Sequence, residues 1–381
     1  MDDVVLQDHK TMPARGQRRA HFSEEAGRPP AAAVRPRLVG LATAVPDHVL
    51  RQPEVAARAR ILFAAMGAEA LERLMPIFRN AGIDRRFSCV PVDWYTVPHD
   101  WCDRNAVYIE QASRLLECAA RSCVAQAGLN PQDVDAVVAV SSTGVATPSL
   151  DAILINRLGL RADVRRLPIF GLGCAGGVLG LARAADLARA NPGAKVLVVA
   201  VELCGLAFRK DEMSKTSLIS AALFGDGAAA AVIASGGGEG PAFGASGEHT
   251  WPDTLDLTGW DVQQDGLRAV LSGDIPAFAR GEMRDVTAGF LRRHGLDFQA
   301  IDHFICHPGG TKVLAALEEA FDLQAGALAF SRDVLRDFGN MSGVTVLFVL
   351  ERALRAGVAG RLLMSSLGPG FTAAFQLLEA A

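Results

Sequence analysis

Three polar side chains in this 381-residue sequence have the types that acyl transfer needs: Cys174, His307 and Asn340. Cys174 follows Gly171-Leu172-Gly173 and precedes an Ala- and Gly-rich run with the composition of a helix start. Glycines let a strand turn sharply and leave backbone N–H groups approachable. A helix N-terminus carries partial positive charge, which lowers a cysteine pKa and offers donors to a thioester oxyanion. His307 closes an apolar run ahead of Pro308-Gly309-Gly310, where an imidazole can exchange a proton with a thiol. Asn340 is neutral, so it can donate a hydrogen bond to an oxyanion but supplies no proton. Taken singly, each has a plainer reading as a buried thiol, a loop histidine or a helix cap. His303, within the strand run, keeps the plainer one.

An internal repeat ties the three together. Gly128-Leu129-Asn130-Pro131-Gln132-Asp133-Val134-Asp135 is echoed by Gly295-Leu296-Asp297-Phe298-Gln299-Ala300-Ile301-Asp302. At nearly the same offset, Gly173-Cys174-Ala175-Gly176-Gly177-Val178 is echoed by Gly339-Asn340-Met341-Ser342-Gly343-Val344. Two matches at one spacing predict two copies of an α/β unit facing each other, with their polar loops meeting. Cys174 and Asn340 then occupy equivalent places, and His307 lies between the two echoes of the second copy.

The elements that must position these residues follow from the apolar pattern. Strands are expected at 37–41, 136–140, 167–170, 195–201, 222–234, 301–306 and 361–366, and helices at 53–81, 106–127, 178–190, 284–294, 311–321 and 344–355. Residues 84–105 read as irregular. Alternating strands and helices call for sheets covered on both faces. Gly236-Gly237-Gly238 with Gly240 marks a boundary, dividing an N-terminal half at 37–238 from a C-terminal half at 239–381. Residues 1–36 lack the apolar core of a signal peptide and are expected to form a disordered tail.

Composition narrows the class. Half of the residues are hydrophobic and 21% are charged, as in a soluble globular enzyme. A net charge of −4 gives no reason to expect nucleic acid or an anionic membrane as partner. No run is long and apolar enough to span a bilayer. The seven cysteines show neither zinc spacing nor a disulfide framework, so no metal is expected, and reduced thiols point to the cytoplasm.

Further motifs stand in order along the chain: Ala222-Leu223-Phe224-Gly225-Asp226-Gly227-Ala228-Ala229-Ala230, His307-Pro308-Gly309-Gly310, Gly339-Asn340-Met341-Ser342 and Gly368-Pro369-Gly370. With the Cys174 turn, this set resembles the type III polyketide synthases, the chalcone-synthase-like branch of the thiolase superfamily, over roughly residues 37–381. The resemblance implies a five-layered αβαβα α/β fold of two duplicated halves and a homodimer. It also implies iterative condensation of malonyl-CoA onto an acyl-CoA starter, with CoA thioesters as substrates and no separate cofactor. Cys174 would take the acyl chain, and His307 and Asn340 would stabilise enolate and oxyanion. Phe224 matches a phenylalanine placed where substrate meets the catalytic centre, although core packing beside Gly225 would also explain it. Ser142, beside Thr143 in a polar loop, together with Glu202 and Ser342 matches positions that build a water-activating network in some members. A structural role for Glu202 is an equal reading.

The departures bear on specificity. Ala269 stands where the family has a second phenylalanine, Thr147 replaces a methionine that reaches the partner subunit, and Cys204 and Ala207 replace cavity threonines. Of the basic residues that meet CoA phosphates, Arg73 matches one, whereas Pro76 and Asn80 occupy two others; Arg79 and Lys312 are possible substitutes. Small cavity residues suit a medium or long aliphatic starter, and the runs around Val201-Glu202-Leu203-Cys204, Gly259-Trp260-Asp261 and Val346–Glu351 are similar to bacterial alkylresorcinol and alkylpyrone synthases. Two rival readings remain: an initiating β-ketoacyl carrier-protein synthase, and an inactive scaffold of the same fold.

Overall fold

The computed structural model describes residues 35–381. The tail expected over 1–36 lies, but for Arg35 and Pro36, outside the described residues. The strands are β1 (Arg37–Ala44), β2 (His48–Arg51), β3 (Arg85–Ser88), β4 (Ala136–Val140), β5 (Arg165–Ile169), β6 (Lys195–Leu203), β7 (Asp226–Ala234), β8 (Ala242–Thr250), β9 (Thr258–Gln263), β10 (Gly266–Leu271), β11 (His303–Cys306), β12 (Gly360–Gly368) and β13 (Thr372–Ala380). The helices are α1 (Gln52–Leu62), α2 (Ala68–Leu74), α3 (Pro76–Asn80), α4 (Trp101–Gln126), α5 (Leu150–Leu158), α6 (Gly176–Ala190), α7 (Lys215–Leu223), α8 (Ile275–Arg293), α9 (Thr311–Ala320), α10 (Ala329–Phe338) and α11 (Thr345–Arg355).

Strand pairing makes the duplication explicit. A nine-stranded sheet runs β11-β12-β13-β8-β1-β7-β6-β4-β5. In its first part β4 pairs parallel with β6, β6 antiparallel with β7, and β7 antiparallel with β1. In its second part β11, β12, β13 and β8 repeat that parallel, antiparallel, antiparallel order. The parts join where Arg37 of β1 pairs with Ala242 of β8. The second part has no partner for β5; α10 occupies that stretch of chain.

Side-chain alternation separates the layers. Val137 and Ala139 of β4, with Leu197 and Val199 of β6, pack under α4 and α5. The intervening Val138, Val198 and Ala200 face α6 and α11. From β12 and β13, Leu362, Met364 and Ala374 face those same two helices, and Leu363, Ala373 and Phe375 pack on α8 and α9. The order is therefore outer helices, sheet, central helices, sheet, outer helices: the five layers of the thiolase fold. The central helices approach closely because Gly177 lacks a side chain; a Cβ there would lie 2.0 Å from the Gly343 carbonyl oxygen.

Several elements differ from the sequence reading. The 53–81 helix is three helices, broken at Gly67, whose φ of 87° is unfavourable for other residues, and again at Pro76. Helix α4 starts earlier than expected because the Asp100 carboxylate caps it, accepting from the Asp103 N–H at 2.8 Å. The segment expected as a strand from 222 begins as the end of α7, and β7 starts at Asp226. No helix among the described residues is long and apolar enough to cross a membrane.

Candidate active site

Cys174 sits in a short 3₁₀ turn, Gly173–Ala175, that runs straight into α6. Gly173 is required there: its φ is 46°, and a Cβ would press 2.7 Å from the Pro369 ring. The turn is held by Ser142, whose hydroxyl accepts from the N–H groups of Gly171 at 3.2 Å and Gly173 at 3.1 Å. The Ser366 hydroxyl donates to the Cys174 carbonyl at 2.5 Å. Counted from the helix that follows, Cys174 lies two residues before Gly176 and Asn340 five before Thr345. The two side chains thus come from equivalent turns, and Gly177 and Gly343, which follow them at equal distance, meet each other.

The expected lowering of the Cys174 pKa does not occur. Cys174 is partly exposed as a residue, yet burial of the sulfur pushes the thiol up to about 12; a hydrogen bond with the Ser342 side chain opposes this and the nearby Glu202 charge adds to it. Desolvation of a charge outweighs the favourable helix terminus.

His307 follows β11 and is anchored by its backbone, whose N–H donates to the Ser365 carbonyl at 2.8 Å. The residue is 4% exposed, and neither ring nitrogen has a hydrogen-bond partner among the described residues. Burial lowers its pKa to about 3, so thiol and imidazole are both held neutral at pH 7. A thiolate then forms only if the proton has somewhere to go, and an unpartnered imidazole nitrogen is a suitable acceptor.

Asn340 is locked by four polar contacts. Its N–H donates to Leu223 O at 2.9 Å and its carbonyl accepts from the Gly225 N–H at 3.0 Å, bracketing Phe224. Its Oδ1 accepts from the Ser342 N–H at 2.8 Å, and its Nδ2 reaches the Gly309 carbonyl at 3.4 Å. Gly309 in turn donates to the His307 carbonyl at 3.1 Å. Cys174, Ser342, Asn340, Gly309 and His307 are therefore linked contact by contact, and Gly310 is the N-cap of α9.

Of the remaining expected residues, Glu202 is 1% exposed; its Oε2 accepts from the Ser142 N–H at 3.0 Å while Oε1 has no partner. Burial raises its pKa to about 8. The Thr143 hydroxyl accepts from the Leu203 N–H at 2.9 Å. Ser142 and Glu202 thus meet each other, whereas the contacts of Ser342 run to Cys174 and Asn340.

A cleft of about 870 Å³, mouth included, is lined by Phe63, Cys204, Ala207, Phe224, Trp260 and Ala269 among others. Cys174, His307 and Asn340 are not in its wall; Phe224, bridged to Asn340, and Cys204, whose thiol feels the Cys174 charge, mark where it approaches them. Thr147, at the position the resemblance directs toward the partner subunit, lies exposed on the surface. Phe63 and Trp260 are absent from the expected cavity residues: Phe63 follows α1, far away in sequence, and Trp260 stood out only within the run Gly259-Trp260-Asp261, with no role attached. On the surface, the Thr311 hydroxyl donates to Asn80 O at 3.0 Å, bringing α3 with Arg79 to the start of α9 with Lys312. Among the described residues no His, Cys, Asp and Glu cluster could hold a metal ion.

Comparison with known proteins agrees with this arrangement. Residues 94–237 match the N-terminal domain of the chalcone and stilbene synthases, and residues 246–377 match their C-terminal domain. The chain belongs to the chalcone and stilbene synthase family. A 1,3,6,8-tetrahydroxynaphthalene synthase of Streptomyces peucetius subsp. caesius is 40% identical over 348 residues, 88% of this chain and 91% of that protein. A phloroglucinol synthase of Pseudomonas fluorescens is 32% identical over 337 residues, 86% of this chain and 94% of that protein. The crystal structure of the tetrahydroxynaphthalene synthase of Streptomyces coelicolor A3(2), a bacterial type III polyketide synthase, superposes with a TM-score of 0.86 at 31% identity, covering 90% of this chain and 99% of that one. This chain is a type III polyketide synthase, and hence an acyltransferase.

Proposed function

We propose that the synthase loads a medium or long fatty acyl group from CoA onto Cys174, extends it with malonyl-CoA and releases an alkylpyrone or alkylresorcinol. The Cys174 thiol gives its proton to His307 as sulfur attacks the thioester carbonyl. The C–S bond to CoA breaks, and CoA leaves as the thiol after taking that proton. Malonyl-CoA then loses CO₂, and its enolate oxygen is held by the His307 ring and Asn340 Nδ2. The enolate carbon attacks the acyl-cysteine carbonyl, forming a C–C bond and freeing the Cys174 sulfur. The β-ketoacyl-CoA reloads for the next round. Decarboxylation supplies the carbanion, so no metal or organic cofactor is required in this scheme.

The apolar cleft beside Phe224 and Cys204 is the observation that carries the starter assignment. Each methylene buried there contributes roughly 0.8 kcal/mol, so affinity should rise with chain length until the cleft is full. The test is mass spectrometry of products from a panel of acyl-CoA starters with malonyl-CoA, without carrier protein. An aromatic starter outperforming every fatty one would overturn the aliphatic reading; dependence on a carrier protein would favour an initiating condensing enzyme. A second reading, an aromatic product built without a fatty starter, is favoured by the names of the Streptomyces and Pseudomonas relatives. Product formation from malonyl-CoA alone would select it.

We also assign the protein as a cytoplasmic homodimer. Seven free cysteines suit a reducing compartment. Strand β5 ends the sheet, and Phe170 beside it and Val145 are 61% and 48% exposed; an uncovered edge with apolar neighbours favours pairing with a second copy. Sedimentation at micromolar concentration tests this, and a monomer would refute it.

A further inference from the structure

Phe224 and Trp260 face each other at the inner end of the cleft, with ring centroids 6.3 Å apart and planes inclined by 47°. Phe224 belongs to the catalytic side, since its backbone neighbours bond to Asn340. Trp260 comes from the β9–β10 ribbon, a two-stranded sheet separate from the nine-stranded one. Within that ribbon Trp260 pairs directly with Ala269. Residues opposite each other in an antiparallel ladder share a face, and both of these line the cleft. The small side chain at 269 therefore does not leave an opening: it leaves room that the indole of the next strand occupies.

We propose that Trp260 is the specificity-determining jaw of this synthase, closing against Phe224 to decide which acyl chains reach Cys174 from the cleft. This rests on the reading of the cleft as the acyl site. Carbon atoms in contact sit about 3.5–4.0 Å apart, so a chain sandwiched between two rings needs about 7–8 Å between them. At 6.3 Å between centroids the tilted rings lie within the range of an aromatic pair, so the indole must turn or the ribbon must yield slightly for a chain to pass between them. A two-stranded ribbon has little stability of its own. This one is pinned at its turn by the Arg209–Asp265 ion pair and by Gly266 packing on the Arg104 side chain. A narrow slot that opens a little admits a straight polymethylene chain and rejects a branched or aromatic one.

The test compares Trp260→Ala with the double variant Trp260→Ala/Ala269→Phe, which returns a ring to the same face from the neighbouring strand. For each, kcat/KM is measured with straight, methyl-branched and aromatic acyl-CoA starters. Trp260→Ala should reduce the preference for straight over branched chains by about tenfold, the scale on which apolar pockets discriminate. The double variant should regain the preference. Unchanged selectivity in the single variant, or no recovery in the double variant, would overturn the proposal. Should Trp260→Ala not fold, Trp260→Leu replaces it with the same expectations. If the parent enzyme uses malonyl-CoA alone, the aliphatic reading falls separately; the jaw is then read from product length, which the single variant must increase.

Discussion

The Ser342 backbone N–H donates to the side-chain oxygen of Asn340 at 2.8 Å, and this contact decides which way the amide faces. With Oδ1 engaged, Nδ2 points its hydrogens the other way, one toward Gly309 O at 3.4 Å, leaving the second for a substrate oxygen. Asn340→Asp keeps the acceptor for Ser342 but loses the donor. Losing one preorganised oxyanion donor costs on the order of 10²–10³ in rate, so this variant and Asn340→Ala should both lose malonyl-CoA decarboxylation to that extent. Acetyl-CoA release by mass spectrometry measures it, and a rate within threefold of the parent would remove Asn340 from the chemistry.

Cys174 and His307 should depend on each other. Burial holds the thiol near 12, and the imidazole nitrogens have no hydrogen-bond partner among the described residues. His307→Ala should therefore slow alkylation of Cys174 by iodoacetamide at pH 7 at least tenfold, while Cys174→Ala abolishes the acyl-enzyme outright. Peptide mapping reads both. An acyl adduct on any other cysteine would show that the nucleophile is misassigned.

Glu202 should make stability fall as pH rises. Its folded pKa, about 8, lies above the ordinary 4.5, so between those values the folded state holds a proton that the unfolded chain has released. Stability is full below about pH 4.5 and is lost as pH climbs to 8, by ~5 kcal/mol at 1.36 kcal/mol per unit. Glu202→Gln should flatten the profile between pH 6 and 8. A residual slope below pH 6 remains from Asp226, which burial raises to about 6. Urea unfolding at pH 5, 7 and 9 measures this, and parallel profiles for parent and variant would contradict it.

Gly177→Ala should be among the most damaging small substitutions in the protein. Its new methyl would meet backbone, the Gly343 carbonyl oxygen at 2.0 Å, rather than a side chain that can turn away. Overpacking of this kind typically costs about 1–3 kcal/mol or more. A Tm within two degrees of the parent would mean that the central helices can separate without cost.

The sequence by itself determined what depends on neighbours along the chain. Ala136–Val140 is a strand because five consecutive apolar residues bury both faces, and Cys174 stands in a turn because Gly173 must adopt a positive φ. The repeat revealed two copies of one unit, and the ordered motifs revealed the family. Contacts between distant segments were decided only by the tertiary structure. Ser342 reaches both Cys174 and Asn340 because the two central helices meet at Gly177 and Gly343. The Cys174 thiol is raised rather than lowered because desolvation is a property of everything packed around the sulfur. Trp260 faces Phe224 because ribbon register sets it opposite Ala269; register is a relation between two strands, and neither strand alone carries it.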